Sequence, residues 1–196
     1  MEAWLAENDP AMDLVGEAVR KPTFHIPLAM EDDAGQLIAL YLPEMERTRS
    51  FARALSARAN HRIAAGDIDG AIDDIISCKR LGRHVGQRGM LTEVIVGIVI
   101  ESIAGTIGVA GSLEHPPSKG QLQRLVDESN DLPPQASCDK AFVSERYAAL
   151  DLVQAMANGK GLEELGLPGG IPAWIGLDWN LIARRVNEHY DTLPTS

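Results

Sequence analysis

The pair Gly66-Asp67 constrains this chain more than any other feature of its sequence. Before it, Phe51, Leu55, Ala59 and Ile63 recur every fourth residue. After it, Ala71, Ile72, Ile75, Ile76, Cys78, Leu81 and Val85 recur every three to four. Each series marks one face of an α-helix. Gly66 suits the left-handed position that closes a helix, and Asp67 can cap the next by accepting a free backbone N–H. Two helices separated by so short a turn must pack antiparallel, so residues 47–86 predict a helical hairpin.

The same punctuation runs through the rest of the chain. Asp9-Pro10 offers a cap and a first helical residue for a helix with Leu14, Val15 and Ala18 as its apolar stripe, ended by Lys21-Pro22. Leu37 to Leu42 predicts a short helix that Pro43 breaks, kinks or follows with a new start. Met90 to Leu113 is the most apolar stretch. It reads as a buried central helix (residues 90–113) whose Gly97, Gly105 and Gly108 permit close approach of neighbours. Ser118 and Gln121 form a capping box, Ser137 to Asn158 spans a long helix, and Asp178 caps a last one through Tyr190. Residues 159–176, with six glycines and two prolines, read as a loop. No segment alternates with period two. The prediction is an all-α single domain over residues 1–196, with about seven helices.

Composition narrows the function classes. With 45% hydrophobic and 23% charged residues the chain is globular. A formal charge of −10 opposes a phosphate backbone, which argues against nucleic-acid binding and against adhesion to anionic membrane. The apolar stretch is long enough to span a bilayer, but Glu93 and Glu101 interrupt it, so membrane insertion is not expected. The N-terminus shows neither a basic n-region nor an apolar h-region of a signal peptide. Cys78 reads as a buried free thiol, with a Cys78–Cys138 disulfide left open.

The spacing of Ala59, Gly66-Asp67, Ala71 and Cys78 resembles the tetratricopeptide repeat, in which small residues occupy the crossing of two helices. Leu55 stands where that repeat has a large aromatic, Arg83 stands near its closing proline, and no second copy follows. More widely, Leu42-Pro43, Arg53-Ala54-Leu55, Arg58-Ala59, Cys78 with Leu81 and His84-Val85-Gly86-Gln87, Glu145-Arg146, Leu150-Asp151, Asp178-Trp179, Asn187 and Tyr190 resemble an uncharacterised bacterial family common among planctomycetes. That resemblance implies no activity, and it allows an exported or membrane-tethered longer form. The repeat-like packing implies that the inner face of the first hairpin helix presents Arg53, Ser56, Asn60 and Ile63 to a peptide. Trp174 in the Gly-rich loop offers a second anchor.

Chemistry is sparse. Glu93 and Glu101, eight apart, share one face of an apolar helix. A buried carboxylate must be paired, so these acids predict ion pairs to hairpin arginines such as Arg58 and Arg62. Glu145 and Arg146 predict further ties between helices. The competing reading is an acid/base pair in a cleft. No Glu-x-x-His, His-Glu-x-x-His or Cys-x-x-Cys occurs, and Gly159-Lys160-Gly161 lacks the phosphate-loop pattern, so no metal, cofactor or nucleotide is called for. The sequence therefore predicts a non-catalytic scaffold or protein/peptide-binding module. A ligand pocket or enzyme around Glu93 and Glu101, or a structural domain of an envelope-associated protein, are its alternatives.

Overall fold

A computed structural model describes residues 2–25, 37–159 and 176–193. Among these it is all-helical: α1 (Glu2–Ala18), α2 (Leu37–Ala64), α3 (Ile68–Gly86), α4 (Leu91–Glu114), α5 (Lys119–Asn130), α6 (Cys138–Ala157) and α7 (Trp179–Asp191). The Gly-rich stretch 159–176 and Trp174 lie almost wholly outside the described residues.

The expected caps are in place. Gly66 adopts a φ of 79°, and the Asp67 side chain accepts from the Gly70 N–H at 3.0 Å. Ser118 and Gln121 bond reciprocally at the start of α5, while Ser137 and Asp178 cap α6 and α7. One proline reading fails and another narrows. α1 begins at Glu2 and runs through Pro10, and α2 is helical on both sides of Pro43. A proline in a helix removes one bond to the carbonyl four residues back. For Pro10 that carbonyl belongs to Ala6, which is exposed and can bond to water instead. α1 consequently buries Leu5, Met12 and Gly16, while Leu14 is 66% exposed and Ala18 faces out.

The described chain divides into two compact units. The first takes in the described residues of Met1–Ile26, Met45–Arg88 and Thr92–Ala136, and the second those of Pro27–Glu44, Gly89–Leu91 and Ser137–Ser196. In the second unit α6 packs along α7. In the first, one core joins Met12 of α1, Val19 just after it, Leu55 and Ala59 of α2, Ala71, Cys78 and Leu81 of α3, and Ile100 and Ala104 of α4. Ala59, Ala71 and Cys78 are each 1% exposed, so the two hairpin helices meet through short side chains. Phe51, assigned to that same buried face, is 42% exposed.

Helices α3 and α4 approach closest through glycine. A Cβ on Gly82 would stand 2.7 Å from the Gly97 carbonyl oxygen, and one on Gly97 would stand 2.5 Å from that of Gly82. Of the three glycines expected to permit such an approach, Gly97 does so. Gly105 has nothing within 4 Å, and Gly108 meets Ile75 only at 3.9 Å. Nor is α4 buried all round. Val94, Ile100, Ala104 and Ile107 enter the core, but Ile95, Ile98, Val99, Ile103, Val109 and Leu113 lie exposed on the opposite face.

Candidate functional site

The first cluster grows out of α2. Arg58 and Arg62 stand one turn apart and reach across to α3, where Asp74 is 2% exposed. The Arg58 guanidinium donates to both Asp74 oxygens (2.7–3.2 Å) and to Asp9 at 3.2 Å and Asp13 at 2.7 Å of α1. Arg62 adds a bond to Asp74 at 2.9 Å and another to the Gly70 carbonyl. Burial opposes the charge on Arg58, but its bonds to Asp74 and that residue's charge, with Asp13 and Asp9, hold the guanidinium above its ordinary range. Burial likewise pushes the Asp74 carboxyl above the usual value, against the pull of Arg58 and Arg62.

Beside this cluster lies a polar cavity of about 290 Å³, lined by Asp13, Glu17, Arg20, Arg62, Asp73 and Ser77 among others. Charges of both signs alternate around it. Arg20 lies 3.8 Å from Asp73, which also bonds to Arg124 of α5. Arg58 and Arg62 on its wall are engaged by acids.

The acids of α4 do not form an acid/base pair. Glu101 accepts from Arg83 of α3 at 2.7 Å, and Glu93, fully buried, lies 3.2 Å from Arg88. Glu101 therefore meets an arginine of the hairpin and Glu93 one just past it, whereas Arg58 and Arg62, named from sequence among the partners, serve Asp74 instead. In the second unit Arg146 donates to Asn187 at 2.5 Å and to Asp191 at 2.8 Å, tying α6 to α7. Glu145 accepts the Leu91 backbone N–H at 3.0 Å.

The predicted peptide face on α2 is not one surface. Ile63 is 5% and Ser56 9% exposed, packed inward, while Arg53 and Asn60 are exposed. Arg53 is bonded to Glu46 at 3.3 Å. The reason is register: positions 56 and 63 belong to the stripe that meets α3 and α4, with the Ile63 side chain seated over Gly111. Cys78 and Cys138 are both free.

What sequence reasoning missed is the outward face of α4. Ile95, Ile98, Val99, Ile103, Val109 and Leu113, with Ser102, Thr106 and Ala110 between them, form an exposed stripe without a charge. It runs about 27 Å along the helix at 1.5 Å per residue. A hydrophobic helix seen in sequence is taken as buried on every side. The available signal was the count: apolar residues fill both faces of a helix whose glycines crowd only one. By length and composition Leu91–Leu113 could cross a membrane, and only 28% of its apolar window is buried within this fold. Among the described residues no three of His, Cys, Asp and Glu stand close enough to hold a metal ion. Set against known protein families, curated proteins and solved structures, the chain finds no match.

Proposed function

We propose that this chain is a non-catalytic interaction module whose working surface is the outward face of α4, which docks an apolar, uncharged helix of a protein partner. One observation carries the reading: six large aliphatic side chains, from 36% exposed at Ile103 to 81% at Leu113, line one face of a helix whose other face is locked into a core. Contiguous apolar surface of this kind is a mark of an interaction site rather than of ordinary solvent-facing helix. The ion pairs of Glu93 and Glu101 support a structural use of these acids over an acid/base use.

In this reading the α2–α3 hairpin is a tetratricopeptide-like frame, supported by the small residues at its crossing, and the working surface lies outside it. The reading also takes α4 as a core helix rather than a bilayer span. Its glycine contact with α3 and the ion pairs of Glu93 and Glu101 support that choice. So does the composition of its surface, since α4 carries no Lys or Arg to meet lipid headgroups.

The test is photo-crosslinking in living cells from an unnatural residue at position 106. A protein adduct that forms with the native face and disappears with Ile98→Asp is the expected result. Absence of any protein adduct would dispose of the reading.

A further inference from the structure

Resting on that reading, we infer that the helix docked on the face of α4 is α4 of a second copy of this chain, packed antiparallel about a two-fold axis near residue 104. Three observations converge on this occupant.

The first is charge. A chain with a formal charge of −10 repels its own copies over most of its surface. The stripe from Ile95 to Leu113 holds no ionisable group, so two copies that meet there bring no like charges into contact, although the net charge still opposes them at longer range.

The second is shape. An isologous contact needs a patch complementary to itself. Antiparallel pairing about residue 104 sets Ile95 against the partner's Leu113, Val99 against the partner's Val109, and Ile98 against the partner's Ala110. At the axis Ser102 faces the partner's Thr106, and small side chains there let the helices come close. The Thr106 hydroxyl already donates to the Ser102 carbonyl at 2.9 Å, so burying it strands no donor.

The third is area. With ordinary side-chain areas, the exposed fractions of the six aliphatic residues amount to at most roughly 600 Å² of surface per copy, the lower end of the about 1,200–2,000 Å² that the two sides of a stable interface bury together. A lipid surface fits less well, since interfacial helices flank their apolar face with basic residues and α4 has none.

Sedimentation of the purified full chain over a wide concentration range tests the inference. The native chain is expected to be a dimer, and Ile98→Asp or Val109→Asp to weaken self-association about 100-fold or more by burying unpaired carboxylates. Circular dichroism shows whether each variant keeps its helix content. In a Cys138→Ser background, Ser102→Cys and Thr106→Cys chains should form disulfide-linked dimers rapidly when mixed and slowly when oxidised separately. A native chain that stays monomeric, or face variants that dimerise as the native chain does, would overturn the second copy as occupant. A monomer that floats with phospholipid vesicles would overturn it in favour of lipid. A monomer that still gives Ile98-dependent cellular adducts to another protein would overturn this inference and leave the interaction module standing. A monomer with no adducts would remove both.

Discussion

Gly82 and Gly97 face one another across α3 and α4 so closely that a Cβ on either would press into the other's carbonyl oxygen, at 2.7 and 2.5 Å. The obstacle is backbone, which cannot rotate aside. Gly97→Ala should therefore destabilise the fold by about 2–3 kcal/mol in urea titration, the usual range for overpacking. Gly111→Ala should cost clearly less. Its Cβ would meet the Ile63 Cδ1 at 2.5 Å, the free end of a side chain that can move. Equal losses for the two variants would show that α3 and α4 are not in backbone contact.

Arg58 and Asp74 define the second prediction. Their side chains are 6% and 2% exposed. Arg58→Met leaves a buried carboxylate held by Arg62 alone, which should cost about 3–5 kcal/mol of unfolding free energy. Lysine should rescue little, because one ammonium cannot replace a planar fork that reaches three carboxylates. Arg53→Ala, at the exposed pair with Glu46, should change stability by less than about 0.5 kcal/mol.

The α4 acids should separate by burial. Glu93→Gln, at a fully buried carboxylate, is expected to lower stability by about 2–3 kcal/mol, and Glu101→Gln, at a part-exposed one, by about 1 kcal/mol. Thermal melts of the two variants compare them directly. A reversed order would mean that Arg83, not Arg88, anchors α4.

The two thiols should differ in chemistry. Burial pushes Cys78 up to about 11, the neighbouring Ser56 hydroxyl opposing and the Asp74 charge adding to the effect. Cys138 is exposed. An alkylating reagent at neutral pH should modify Cys138 at once and Cys78 only when the chain unfolds. The folded state raises the pKa of this thiol. Its contribution to stability is thus complete below about pH 9, the unfolded value, and is lost as pH rises toward 11. Cys78→Ala should remove that part of the alkaline transition.

Helix content was legible because caps and spacing are local. Asp67, Ser118, Ser137 and Asp178 each satisfy a donor two or three residues away, and such bonds need no tertiary context. Pro10 misled because whether a proline can sit inside a helix depends on what the freed carbonyl meets, which spacing does not encode. Arg58 was expected at the α4 acids. Its actual partners sit on α1 and α3, where docking, not sequence distance, decides the pairing. Hydrophobicity alone could not divide α4 into a buried and an open face, for the division depends on which side carries Gly97 and Gly111. Ser56 and Ile63 went inward with that same register, which leaves Arg53 and Asn60 as the exposed residues of the peptide face expected on α2.

The ion cluster around Arg58 bears on how the chain assembles. Asp74 reaches it from sixteen residues away, whereas Asp9 and Asp13 arrive from forty-nine and forty-five. The hairpin can therefore bring together a guanidinium and one carboxylate before the first helix is in position, and closing a short loop is faster than closing a long one. Arg58 then acts as a latch that α1 completes. Proteolytic loss of that helix would reopen the latch while leaving the hairpin's own bridge to Asp74 closed.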